Sequence, residues 1–200
     1  MPRVLTQEDV SDFRERLIDT AERLFAQHGA DAVSLRQIAG ELGVSPMTPY
    51  RYFKDKDEIL SAVRASGFER FAQALETARR GANDPVDASA KVGEAYVRFA
   101  LEHPSAYRLM FDLFQPVGGD HADLRRAGER AKHTMTDHVE ALIEAGVIEG
   151  EVGHLAHIFW AAIHGLVVLK LAGMLAPDLD FQALVRDQQQ ALLRGFGPRR

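Results

Sequence analysis

At 200 residues, with 46% apolar and 26% charged side chains, the chain has the composition of a globular protein with room for one or two hydrophobic cores. It has no cysteine, which excludes disulfides, thiolate metal sites and cysteine nucleophiles and points to a reducing cytoplasm. The formal net charge of −5 argues against a generic polyanion binder, although binding depends on where charges sit more than on their sum.

The expected class is all-α, because almost every segment has helical periodicity and no stretch alternates long enough to be a strand. The opening MPRVLTQEDV is acidic and lacks the apolar run of a secretory signal. Thr6 and Asp9 form an N-cap signal, after which Val10, Phe13, Leu17, Ala21, Leu24 and Phe25 recur at helical spacing until Gly29 stops the run. Ser34 and Gln37 have capping-box spacing and open a short second helix, with Leu35, Ile38, Ala39 and Leu42 on its apolar face and Gly43 at its end. Ser45 then caps a third helix, expected over 45–52, with Pro46 at its favoured first position. Asp55 and Glu58 pair as the cap of a longer helix through Ile59, Leu60, Val63, Phe68, Phe71 and Leu75.

Gly81 to Pro85 is the clearest break. Beyond it, helices are expected at about 86–102, 104–114, 120–145, 152–175 and 180–194, with a loop at Gly118–Gly119 and a frayed GFGPRR tail. Residues 159–176 approach membrane-spanning length but include His164 and Lys170, which are costly in lipid. The expectation is therefore no membrane, and a helix buried nearly all round between protein surfaces.

Residues 34–53, two short helices joined by a glycine-containing turn, have the helix-turn-helix arrangement, which also occurs in proteins that bind no DNA. Thr48, Tyr50, Arg51, Tyr52, Lys54 and Lys56 supply short polar, phenolic and cationic groups, with Asp55 as the sole acid between 45 and 56. Such groups contact phosphates, and helix N-termini do so as well; a merely solvated charged face is the alternative. Pro49 is the fourth helical residue after Ser45, so its missing donor removes only the first helical bond. The expected outcome is a 3₁₀-like first turn, with Thr48 displaced from helical angles and Pro49 adding apolar surface to the core.

"SLRQIAGELGVSPMTPYRYFKDKDEIL", preceded by "AERLFAQHGADAV", resembles the N-terminal domain of the tetracycline-repressor (TetR) family over roughly residues 11–71. The run Tyr50, Tyr52, Phe53, Lys56 is the most specific part. "WAAIHGL" at 160–166 is similar to a C-terminal effector-binding type with a Trp-His-Gly signature, although Trp160 here stands apart from His164-Gly165. The resemblance implies a homodimeric helical regulator, usually a repressor that a small molecule releases from operator DNA. It implies a DNA-binding domain at 11–71 and an effector-binding and dimerisation domain at 72–200. The 45–52 helix would enter the major groove. Tyr50 and Lys56 would hold phosphates, while Met47, Thr48 and Arg51 would face base edges, Arg51 being suited to a guanine. Ser34, Arg36, Gln37, Ser45, Tyr52 and Lys54 complete the expected DNA-facing set. An aliphatic residue is usual where Pro49 stands, which puts the register of bases read in question.

In the second half, Tyr96, Phe99, Tyr107, Met110, Phe111 and Phe114, with Trp160 and His164 arriving from another helix, suit the walls of a pocket for an apolar or aromatic effector; ordinary bundle core is the alternative. His157 and His164 share a helical face with His154 nearby, but no acidic ligand matches them, so no metal and no cofactor are expected. No phosphate loop, nucleophile elbow or catalytic carboxylate pair is present, which argues against an enzyme. Ala161, Ala162, Gly165 and Gly173, with Leu184, Val185, Ala191 and Leu192, suit a two-fold interface through the last two helices. The competing reading is a helical dimer that binds a small molecule or protein and has little specific DNA affinity.

Overall fold

A computed structural model describes residues 6–111 and 121–198. Helix α1 (Gln7–His28) starts in a closed capping box: the Thr6 hydroxyl accepts from the Asp9 N–H, and the Asp9 carboxylate accepts from the Thr6 N–H. Helix α2 (Leu35–Glu41) repeats the device with Ser34 and Gln37. It ends in a Schellman turn, the Val44 N–H reaching the Ala39 carbonyl at 3.0 Å while Gly43 takes φ +67°. The remaining helices are α3 (Lys56–Arg80), α4 (Pro85–Glu102), α5 (Pro104–Met110), α6 (Ala122–Glu144), α7 (Val152–Leu171) and α8 (Phe181–Gly195), and there is no strand among the described residues.

Several expectations need correction. The segment expected as a helix over 45–52 contains only a 3₁₀ turn, Pro49–Arg51. Helix α7 stops at Leu171, because Gly173 at φ +67° lets the Met174 N–H close on the Leu169 carbonyl, well before Pro177 acts. Most of the tail is held: the Phe196 carbonyl accepts from the Glu149 N–H at 2.8 Å, and its ring packs on the cluster of Val139, Leu142, Ile148 and Leu155. The expected extension of the 104–114 helix beyond residue 111 and the 118–119 loop lie outside the described residues.

The chain divides into two compact units, residues 1–68 with 105–127, and residues 69–104 with 128–200. In the first, Leu17, Phe25, Ile38, Phe53, Ile59 and Val63 are almost wholly buried in one core, where each large apolar side chain stabilises by roughly 1.5–3 kcal/mol. Arg64 is buried there with its guanidinium on the Met110 carbonyl at 3.3 Å. In the second unit Phe71 meets Tyr96 and Phe99 edge-to-face at 5.0 and 5.3 Å. Arg130 of α6 reaches back to α3, bidentate on Glu76 at 2.8 and 2.7 Å and also bonded to Glu69.

Helix α7 is long and apolar enough to cross a membrane by length and composition. It is not buried all round, contrary to the expectation: only 28% of its most apolar window is buried. Leu155, Phe159, Ile163 and Val167 face inward at helical spacing, while Ala161, Val168 and Leu169 on the opposite side are exposed. One apolar face finds its core within the chain and the other does not.

Candidate nucleic-acid interface

The segment Ser45–Phe53 is shaped by the donor that Pro49 lacks. In an α-helix residue 49 would donate to the Ser45 carbonyl; here that carbonyl takes the Thr48 N–H at 2.8 Å, one residue early. The shortened pattern continues, with Arg51 N–H on the Thr48 carbonyl at 3.1 Å and Tyr52 N–H on the Pro49 carbonyl at 2.9 Å. Phe53 N–H, also on the Pro49 carbonyl, makes a bond of α spacing as the segment ends. Three-residue spacing thus recurs at Thr48, Arg51 and Tyr52, with the 3₁₀ turn itself confined to Pro49–Arg51. Thr48 itself keeps helical angles, φ −65° and ψ −46°, because both its N–H and its carbonyl are held in these bonds; its expected displacement does not occur.

Burial then sorts the side chains. Pro49 and Phe53 face inward, and Tyr52 is half-buried with its ring 5.0 Å from Phe13. The Arg14 guanidinium lies over the Phe53 ring at 4.9 Å. Met47 and Tyr50 are left outward, 67% and 52% exposed, and Arg51 and Lys54 are exposed beside them. Residues three apart eclipse in a 3₁₀ turn, which places the half-buried Thr48 over Arg51, whose N–H bonds to the Thr48 carbonyl. Three acids near this face are occupied elsewhere. Asp55 accepts from the Glu58 N–H at 2.9 Å, Glu58 accepts from the Lys54 N–H, and Glu41 pairs with Arg23 at 2.8 Å.

The other expected DNA-facing residues have local duties. Ser34 and Gln37 close the α2 capping box, and the Ser45 hydroxyl accepts weakly from the Met47 N–H at 3.4 Å. Arg36 is exposed on α2. The Lys56 ammonium, half-buried, donates to the Ala30 and Asp31 carbonyls at 3.0 and 3.2 Å and so ties the start of α3 to the loop after α1.

The eight expected effector residues divide between the units. Tyr107 and Met110 are buried in the first, where Phe111 packs on Tyr107 at 4.9 Å and on Phe68 at 5.5 Å. Phe114 lies outside the described residues. In the second unit Tyr96, wholly buried beside Phe99, accepts from the Trp160 indole at 3.2 Å and lies 3.2 Å from the His164 Nδ1. Burial holds the His164 pKa below the ordinary histidine value. His154 and His157 are exposed, and no three His, Asp or Glu converge on a metal-sized site among the described residues.

The sequence reading passed over His138, which is 3% exposed on α6. Its signal was present: Leu124, Ala127, Ala131, Met135, His138 and Leu142 recur at threes and fours on the buried stripe of α6, a titratable ring among apolar neighbours. Burial pushes its pKa down to about 4, outweighing the Thr134 carbonyl and Asp137, so the ring is neutral at pH 7.

Comparison with known proteins agrees with this geometry. Residues 17–63 match the model of bacterial regulatory proteins of the tetR family, and residues 89–192 match that of the tetracyclin repressor-like C-terminal domain. The chain is 27% identical over 185 residues to the HTH-type transcriptional regulator Rv0681 of Mycobacterium tuberculosis, covering 92% of this chain and 81% of that one. It is 30% identical over 186 residues to the regulator BetI of Brucella melitensis, covering 91% and 92%. A solved structure from Rhodococcus sp. RHA1, of unknown function, superposes with a TM-score of 0.83 at 29% identity over 99% of this chain and all of that one. The chain belongs to the TetR family, and it is a DNA-binding transcriptional regulator.

Proposed function

We propose that this regulator is a cytoplasmic, ligand-responsive repressor that binds a palindromic operator as a homodimer and catalyses no reaction. The observation that carries the reading is the division of Ser45–Phe53 into an anchored side, Pro49 and Phe53, and an exposed side of Met47, Tyr50 and Arg51. Arg51 reads a base, with a fork suited to guanine O6 and N7. Tyr50 and Lys54 hold phosphates, as do Arg36 and the remaining donors of Gln37. Lys56 acts there with whatever donor capacity its two carbonyls leave.

One short turn reads few base pairs, so two copies are needed, with half-sites about 34 Å or a multiple apart. The exposed side of α7 supports pairing through α7 and α8: Ala161 and Gly165 let a partner helix approach, and Val168 and Leu169 supply apolar area that the chain leaves uncovered. The Trp160–Tyr96–His164 arrangement supports effector binding in the second unit, where an apolar or aromatic ligand would disturb the indole bond.

Fluorescence anisotropy with a duplex from upstream of the protein's own gene tests the reading. Preference over a scrambled duplex by about 10³ is expected, with loss of that preference in Arg51→Ala. Equal weak binding to both duplexes, followed by failure to select any site from random sequence, would overturn operator-specific repression. Trp160, the one tryptophan, reports effectors directly: a change in its emission with an apolar ligand is expected, and silence across an apolar and aromatic panel would count against that half.

A further inference from the structure

The chain has no cysteine, so an oxidant meets its sulfur only as thioether. Of the five methionines, Met1 lies outside the described residues, and the other four fall into two classes. Met110 and Met135 are 2% and 6% exposed. Met110 packs so tightly over Gly67 that a Cβ there would lie 2.9 Å from its Cγ. Met47 and Met174 are 67% and 73% exposed, the most open large apolar side chains among the described residues.

Thioether oxidation follows access, because the oxidant must bring an oxygen atom to the sulfur. With a peroxide, a sulfur lone pair attacks one peroxide oxygen and the O–O bond breaks. The proton on the transferred oxygen passes to the departing hydroxide, which leaves as water. Sulfur is thereby oxidised by two electrons and the peroxide reduced by two. The product is a sulfoxide, polar and chiral where the side chain was apolar.

Position decides the consequence. Met47 stands between the Ser45 cap and the 3₁₀ turn, on the exposed side with Tyr50 and Arg51. A thioether can lie against a thymine methyl or a base edge with little demand for hydrogen bonds. A sulfoxide oxygen only accepts. Phosphate oxygens accept as well, and so do guanine N7 and O6, adenine N7 and thymine O4. Across most of a major groove the new dipole therefore meets other acceptors and gives up its water unpaired. Met174 belongs to the second unit, outside Ser45–Phe53.

We propose that Met47 is an oxidation site for peroxide-class oxidants, and that its sulfoxide loosens this regulator's hold on operator DNA. The loss of affinity rests on Ser45–Phe53 facing DNA, as proposed above; formation of the sulfoxide does not. Because DNA covers the same side, the bound protein is shielded and the free protein is the form that oxidises.

The test treats the full chain with hydrogen peroxide and follows each methionine by peptide mass spectrometry. Met47 and Met174 should gain oxygen first, Met110 and Met135 last. Operator duplex selected with the untreated protein should slow the reaction at Met47 and leave the rate at Met174 unchanged. In anisotropy the oxidised protein should bind that duplex roughly 10-fold more weakly for each oxidised copy, the size of one lost base contact. Methionine sulfoxide reductases acting on both sulfoxide epimers should restore the affinity. Met174→Leu should lose affinity on oxidation as the unaltered protein does, whereas Met47→Leu, whatever its own affinity, should keep it. Should Met47→Leu bind too weakly to measure, shielding of Met47 by the duplex and recovery with the reductases decide. Met47 oxidising no faster than Met110, or an operator complex indifferent to Met47 sulfoxide, would overturn the switch alone. Untreated protein that selects no site would overturn the operator reading and the switch with it.

Discussion

The segments Ser34–Leu42 and Ser45–Phe53 each open on a serine cap and each bury one side in the first unit, yet only the first winds as an α-helix. The difference sits at the fourth residue after the cap. Ile38 donates to the Ser34 carbonyl at 3.2 Å, the bond that begins α2; its counterpart Pro49 has no proton to give. The Ser45 carbonyl then closes on the Thr48 N–H, and the Arg51 and Tyr52 N–H groups take the same three-residue spacing before Phe53 returns to four. A cap marks where a helix can begin, whereas the first donors behind it decide what kind of helix follows. For a DNA reader this changes which side chains eclipse, and so which bases a half-site presents to them.

That comparison can be broken or sharpened by substitution. Phe53→Ala should have the largest effect, because the ring anchors the 3₁₀ segment in the core at 1% exposure; a loss of about 3–5 kcal/mol is expected in urea unfolding, with DNA binding lost alongside. Arg51→Ala should leave stability unchanged and weaken operator binding by about 1–3 kcal/mol, seen in anisotropy as relaxed discrimination at one base position. Ser34→Ala, which opens the α2 capping box, should lower stability by roughly 1 kcal/mol, as read by thermal unfolding. Pro49→Ala should change stability by less than about 1 kcal/mol while restoring a slowly exchanging amide at position 49. Selection from random sequence should then recover a different half-site for that variant; an identical site would mean that winding does not set the register. Ser45→Ala should be the mildest, a few tenths of a kcal/mol, because the 3.4 Å bond to the Met47 N–H is long. If it matched Ser34→Ala, the two caps would be equivalent after all.

Much of the first unit was legible, because its signals lie within one turn of the chain. Thr6–Asp9, Ser34–Gln37, the stop at Gly43 and the inward set Leu17, Phe25, Ile38 and Phe53 all follow from spacing. Pro49 was legible as a disturbance but not in its extent, since a short segment gives the α spacing no room to recover. The second unit was less so. Tyr96 and Tyr107, one apolar set by spacing, fall in different units, and His138 passed as one more side chain of an apolar stripe. The helix expected over 152–175 stops at Leu171, because the backbone freedom of Gly173 acts first.

By itself, the sequence determined the helical class, the caps, the family resemblance and the basic aromatic run proposed to read DNA. These depend on interactions between residues three or four apart, which the order of residues alone sets. Only the tertiary structure decided that Lys56 holds the Ala30 carbonyl across 26 positions, that Arg130 reaches Glu76 across 54, and that Tyr96 meets His164 across 68. It alone decided that α7 keeps an uncovered apolar face and that His138 is buried on α6. Those outcomes depend on how whole helices pack, a sum over many weak contacts that no local spacing records.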